Sequence, residues 1–77
     1  MNTLSARMRF ALLELAKHGG SGAIGLEGKI LASGEWLEVG AATWLRLVTV
    51  GMIEPAGPLR IKLSAQGADV VERLKTI

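Results

Sequence analysis

The first helix is predicted from the spacing of apolar side chains over residues 3–17. Large apolar residues recur there at intervals of three and four positions, which is the pattern of an amphipathic helix with one buried face. Thr3 or Ser5 can cap its start, and a basic last turn followed by two glycines marks its end. Four side chains form the predicted buried stripe: Leu4, Met8, Leu12 and Leu15.

The next segment predicts a connector and a short second helix. Residues 19–25 are rich in glycine, so we expect a flexible connector in which Ile24 makes a one-residue bridge to a sheet. Residues 26–33 then carry an apolar stripe at helical spacing, closed by Gly34. Gly28 lies inside this stripe and weakens a helix by up to about 1 kcal/mol relative to alanine. This second helix is therefore expected to depend on packing.

A longer helix is predicted over residues 39–50. Trp44 and Leu47 fall on one face at helical spacing, so Trp44 is expected in the core. Gly51 follows as the C-terminal stop in a left-handed conformation. Trp36 precedes this helix in a turn, where the sequence is compatible with either a packed or an exposed side chain. An exposed tryptophan at this place would indicate a protein contact.

A β-hairpin is predicted after this helix. Residues 52–54 and 59–63 have strand patterns and are joined by the turn sequence PAGP. The prolines cannot donate ladder hydrogen bonds, which suits an edge connection. Alternation in the second strand predicts that Arg60 and Lys62 point outward, while three apolar residues point toward the core: Leu59, Ile61 and Leu63.

Ser64 is the predicted N-cap of a last helix with its own apolar stripe. The order helix, helix, helix, hairpin, helix predicts a mainly α fold with a small β-hairpin (α+β) and a single domain over 1–77. Because small cysteine-free domains often gain stability by association, we give a homodimer and a monomer equal weight. The last helix and the first would supply the dimer surface, with four apolar residues of the last helix as possible protein contacts: Val70, Val71, Leu74 and Ile77.

Composition narrows the class of function only moderately. The 77 residues carry nine Lys and Arg against seven Asp and Glu, for a net charge of +2, and contain no Cys, no Tyr and one His. We therefore expect a non-enzyme with no cofactor and no metal. The most apolar stretch, 39–53, is interrupted by Arg46 and is shorter than the roughly 20 residues of a membrane span. No membrane association and a cytoplasmic location are expected.

The sequence WLRLVTVGMIEP, followed by LRIKLSAQGADVVERL, resembles the winged helix-turn-helix superfamily, in particular MarR-like and PadR-like regulators. The resemblance extends over about 22–76. The matching positions are a leucine and a glycine at the end of the recognition helix, an apolar pair that opens the wing, and a serine and a glycine that start the next helix: Leu47, Gly51, Met52, Ile53, Ser64 and Gly67.

The resemblance implies that helix 39–50 lies in the major groove of double-stranded DNA, braced by helix 26–33, with the 52–63 hairpin on the backbone. Thr43 and Arg46 would contact a base edge or a phosphate, and Arg60 and Lys62 would contact phosphates. Three further cations are candidate backbone contacts: Arg7, Arg9 and Lys29.

Each of these residues also has a simpler interpretation. Arg60 and Lys62 can be the charges that protect an edge strand from aggregation. Arg46 can form an ion pair with Glu38 or Glu54. Arg7 and Arg9 can belong to the solvated face of the first helix.

Two functions follow from the sequence. The first is a small DNA-binding transcriptional regulator of bacterial or phage type, acting as a dimer. The alternative is a winged-helix protein-interaction module, such as a phage-encoded inhibitor or adaptor of a host protein. A basic surface on helix 39–50 would favour DNA, and an apolar surface together with an exposed Trp36 would favour a protein partner.

Overall fold

The computed structural model describes residues 4–76 and has an α+β fold of three α-helices and one antiparallel sheet. The strand order in the sheet is β3-β2-β1-β5-β4. The helices are α1 Ala6–Lys17, α2 Ala41–Thr49 and α3 Ala65–Lys75, and the strands are β1 Ser21–Ile24, β2 Ile30–Ala32, β3 Glu35–Trp36, β4 Ile53–Pro55 and β5 Arg60–Leu63. No helix within residues 4–76 has the length and apolar character of a membrane span.

Helix α1 confirms the first predicted helix, with a later start. The Ser5 hydroxyl caps it by accepting a hydrogen bond from the Met8 backbone N–H at 3.2 Å. Its buried stripe is centred on Leu12 and Leu15, which are both 0% exposed. Because these two side chains lie at the centre of the core, α1 is the element around which the other helices pack.

The end of α2 and the start of α3 have the terminal residues that the sequence predicted, and these two residues are hydrogen-bonded to each other. Gly51 has a φ of +82° and terminates α2 in the left-handed conformation. The Ser64 hydroxyl donates to the Gly51 carbonyl at 2.5 Å and accepts from the Gly67 N–H at 3.0 Å. An ideal Cβ on Gly67 would lie 1.9 Å from the carbonyl oxygen of Met52, so this close packing of α3 requires glycine.

The hairpin of β4 and β5 is present, shifted by one residue from the predicted start of each strand. Glu54 pairs with Lys62 across the two strands, and Ile61 is buried while Arg60 and Lys62 are exposed. The prediction that Leu59 points toward the core is wrong. Leu59 is 70% exposed and has a φ of +55°, because it belongs to the turn rather than to the strand.

Residues 19–36 differ most from the prediction. The segment expected to be a flexible connector contains a four-residue strand, β1. The prediction of a helix over 26–33 is wrong. Residues 26–28 form one 3₁₀ turn, and the chain then forms the β2–β3 hairpin. Ser33 and Gly34 both have positive φ, at 52° and 80°, as a two-residue hairpin turn requires. A β-hairpin therefore stands where the sequence predicted a helix that braces helix 39–50.

The core lies between the three helices and one face of the sheet, which we call the inner face. Alternate residues of β1, β2, β4 and β5 point into it, and α1 contacts both α2 and α3. Val71 of α3 is 2% exposed, and Trp44 and Leu47 of α2 are 4% and 0% exposed. The predicted core position of Trp44 is confirmed.

Candidate interaction surfaces

An open apolar groove of about 370 Å³ lies between α2 and the inner face of the sheet. We call it the α2 groove. Its floor consists of sheet isoleucines, and its wall consists of α2 residues, of which Leu45 is 67% and Val48 is 38% exposed. Among the residues that the structure describes, no charged side chain lines it. The lining residues are Ile24, Gly28, Ile30, Ala41, Ala42, Trp44, Leu45, Val48, Ile53 and Ile61.

The groove exists because α2 contacts the core through one narrow stripe. Trp44 and Leu47 point into the core, whereas Ala41 and Ala42, on the first turn, are too small to fill the space above the sheet. Gly28 packs closely at one end, where an ideal Cβ would lie 2.7 Å from the Cβ of Ala41. The result is a helix whose exposed side is mainly apolar.

Two predicted DNA-contacting residues of α2 differ in accessibility. Thr43 is 8% exposed and buried, so its side chain is not presented to a duplex, contrary to the expectation from the sequence. Arg46 is exposed on α2. Glu54 pairs with Lys62 at 3.6 Å, and within residues 4–76 neither Glu38 nor Glu54 forms an ion pair with Arg46. The ion-pair interpretation of Arg46 therefore has no support in the structure.

A second surface is formed by the opposite face of the sheet, which we call the outer sheet face. Cross-strand partners lie on the same face, and one row of partners runs through four strands. Trp36 pairs with Leu31, Leu31 with Ala23, and Ala23 with Arg60. A second row places Lys62 between Ser21 and Glu54.

Trp36 is the most prominent side chain of this face and is 54% exposed. Its indole ring lies against Gly25, where an ideal Cβ would be 2.4 Å from Cη2. Lys29 is exposed and accepts a 2.7 Å hydrogen bond from the Gly25 N–H through its backbone carbonyl, which places it across from Gly25. The exposed state of Trp36, which the sequence left open, is thus settled.

The predicted DNA-contacting residues are divided between these two surfaces. Arg60 and Lys62 lie on the outer sheet face, while Ile61 between them lines the α2 groove on the inner side. Arg46 belongs to α2, which packs on the inner side. Because neighbouring residues of a strand point to opposite faces, the structure does not bring Arg46 together with the basic pair of β5.

The remaining predicted contact residues are dispersed. Arg7 and Arg9 are exposed on α1, and the Arg9 guanidinium donates to the Leu4 carbonyl at 2.5 Å. Val71 of the proposed dimer surface is wrongly assigned, because it is buried in the core. Val70 and Leu74 are partly buried, and Ile77 lies outside the described residues.

Sequence reasoning missed the apolar wall of the α2 groove and the row across the outer sheet face. Leu45 and Val48 were part of a predicted helix, but periodicity alone did not show that their side would remain uncovered. The sequence contains no alternating signal for the row, because Ile30, Leu31 and Ala32 are all apolar although they alternate between inner and outer positions. Within residues 4–76, no cluster of three metal-ligating side chains is present.

Comparison with known proteins gives no matching family, no matching curated protein and no matching solved structure. The functional interpretation therefore depends on the geometry and chemistry of the two surfaces.

Proposed function

We propose that this chain is a small protein-interaction module that binds an amphipathic α-helix of a partner protein in the α2 groove. The main support for this proposal is that Leu45 and Val48 are exposed opposite the isoleucines of the sheet. An apolar groove between a helix and a neighbouring layer is a recurrent binding site for the apolar face of a helix.

The dimensions of α2 limit the size of the partner segment. A nine-residue helix is about 13–14 Å long. A partner helix lying along it would place about two to three turns in the groove, with apolar anchors at positions i, i+3 or i+4, and i+7. Arg46, on the exposed side of the same helix, favours a partner segment with an acidic residue beside its apolar stripe.

Within this proposal the fold is a variant of the winged helix. The support is the succession of α2, the β4–β5 hairpin and α3, joined by the Gly51–Ser64 contact at the positions that carry the sequence resemblance. The β2–β3 hairpin occupies the place of the bracing helix. A recognition helix with an apolar exposed side is better suited to a protein than to the polar major groove.

The test uses helical peptides selected from a display library against the Trp36→Phe variant, in which Trp44 is the remaining tryptophan. Trp44 lines the α2 groove, so a bound peptide is expected to shift its emission. Leu45→Asp and Val48→Asp should each weaken binding at least tenfold, since each places a charge on the apolar wall. Thr49→Asp is the matched control on the same helix and should retain binding.

The proposal is refuted if selected peptides bind equally well to Leu45→Asp and to wild type. Sedimentation of the wild-type chain alone distinguishes a further outcome. A dimer that Leu45→Asp dissociates would mean that a second copy, rather than another protein, occupies the groove.

A second candidate, binding of double-stranded DNA by a small transcriptional regulator, is favoured by one observation. Arg46 and Arg60 are exposed cations with no ion-pair partner within residues 4–76. A random-sequence duplex should then bind with an affinity that falls with salt, and Arg46→Ala should reduce the salt slope by about one phosphate contact. Absence of duplex binding at low salt would eliminate this candidate.

A further inference from the structure

The outer sheet face combines an aromatic side chain, two aliphatic side chains and a guanidinium in one straight row. Trp36, Leu31, Ala23 and Arg60 are successive cross-strand partners from β3 to β5. Strands in a sheet are about 4.8 Å apart, so the row is about 14 Å long. Within residues 4–76, the core residues of these strands point to the inner face, where the three helices pack, and α1 approaches the row only at the Trp36 end.

The ring of Trp36 has a defined position although it is exposed. It lies against the Gly25 backbone, and an ideal Cβ at Gly25 would be 2.4 Å from Cη2 and 2.6 Å from Cζ3. The absence of a side chain at Gly25 therefore creates the space that the indole occupies. A ring supported in this way on one side, and 54% exposed, offers apolar surface with little conformational freedom left to lose on binding.

The paired rows of this face carry more positive than negative charge. Lys29, Arg60 and Lys62 are exposed, and the one carboxylate in the paired rows is Glu54, 3.6 Å from Lys62. Trp36 also lines two clefts that contain carboxylates, one with Glu27, Glu38 and Lys29 and one with Glu14, Glu35 and Glu38. An anionic ligand would consequently extend from Trp36 along the row toward Arg60, away from these carboxylates.

We propose that the outer sheet face binds single-stranded nucleic acid, with one base stacked on Trp36 and the backbone phosphates on Arg60 and Lys62. Sheet surfaces that present aromatic side chains beside cations suit this ligand, because unpaired bases expose their π-faces while phosphates follow the charges. In a duplex the bases are already stacked, so Trp36 favours the single strand. This binding is independent of the helix partner proposed for the α2 groove.

The experiment measures binding of fluorescently labelled ten-nucleotide homopolymers of thymidine and uridine, by anisotropy, at low and moderate salt. Trp36→Ala is expected to lower affinity about 5- to 150-fold, the range of one base–aromatic stack. Trp36→Phe should restore part of that loss. Circular dichroism of each variant verifies that the fold is retained, as expected for an exposed position.

Charge is tested with a matched pair of double variants. Arg60→Ala with Lys62→Ala should weaken binding and reduce the salt slope by up to about 1.4, at roughly 0.7 for each single-strand phosphate contact. Arg73→Ala with Lys75→Ala removes two exposed cations from α3 and should change the affinity less than twofold. This comparison separates a located site from the general effect of net charge.

Three results would overturn the proposal: no binding at low salt, equal binding of wild type and Trp36→Ala, or tighter binding of the matching duplex than of the single strand. Leu45→Asp, which changes the α2 groove, should leave single-strand binding unchanged. Failure of this inference is therefore distinguishable from failure of the helix-binding proposal.

Discussion

The α2 groove and the outer sheet face lie on opposite sides of the same five strands, yet they are constructed differently. The groove is lined by residues that the core also needs, such as Ile53 and Ile61, which are 2% and 5% exposed. The outer face consists of side chains on which the core does not depend. An apolar groove can remain simply where a short helix leaves a sheet uncovered, whereas an exposed tryptophan in the same row as an exposed arginine has no such packing origin.

Each of the two surfaces contains one of the two tryptophans: Trp44 lines the α2 groove, and Trp36 lies on the outer sheet face. Trp44 is 4% exposed, and its indole N–H has no hydrogen-bond partner within residues 4–76. Trp36 is 54% exposed on the other side of the sheet. An unpartnered buried N–H costs free energy, which the burial of the large apolar ring of Trp44 offsets. Each tryptophan can therefore report on one surface separately.

The largest expected effect on the free energy of unfolding is at Ile61 of β5, and it contrasts with small effects at the residues on either side. Ile61→Ala should lower the free energy of unfolding by about 2–5 kcal/mol, because it leaves a cavity where the groove floor meets the core. Arg60→Ala and Lys62→Ala, one residue away on either side, should each change it by no more than about 0.5 kcal/mol. Urea denaturation of the three variants measures the difference. A cost at Arg60 equal to that at Ile61 would mean that the outer sheet face is covered in solution.

A smaller effect is expected at Gly25. Gly25→Ala places a methyl group in the space of the Trp36 ring and should destabilise the fold by about 1–3 kcal/mol, as overpacking does. The cost should nearly vanish in the Trp36→Ala background, so a double-mutant cycle measured by urea denaturation isolates this contact. Additive effects of the two changes would show that the ring does not rest on Gly25.

The elements that the sequence predicted well are those whose signals are local. Ser64 precedes α3 and its side chain makes the expected capping bond, and Gly51 follows α2 with the expected left-handed φ. The α1 stripe is buried as its spacing predicted. In each case, a periodic apolar pattern and a terminal residue with specific chemistry pointed to the same structure.

The segment 26–36 was mispredicted because its apolar residues fit two periods at once. Leu26, Ile30 and Leu31 have helical spacing, but Ile30 and Leu31 point to opposite faces of a strand in the structure. The decisive local signal was the dipeptide Ser33–Gly34, which forms the two-residue turn between β2 and β3. Gly28 and Ile30, from the start of this segment, line the α2 groove together with α2. The groove was therefore not predictable from α2 alone.

The smallest expected effect on the free energy of unfolding is that of a substitution at Gly40, at the start of α2. Gly40 is the N-cap, forms no side-chain capping bond and has open space around an ideal Cβ. Gly40→Asp should therefore stabilise the fold by about 0.5–1 kcal/mol, through a capping bond to a first-turn N–H and a favourable charge at the helix N-terminus. Urea denaturation measures this gain.

The same variant separates the two candidate partners of α2. A duplex read by the first turn of this helix would be repelled by the new carboxylate, so its affinity should fall relative to Gly40→Asn, which caps without charge. A helix seated on Leu45 and Val48, one to two turns further along, should bind both variants alike. Equal duplex binding by both variants would exclude α2 as a DNA-reading helix, and a peptide affinity that depends on the charge at position 40 would place the peptide at the Ala41 end of the groove rather than on Leu45 and Val48.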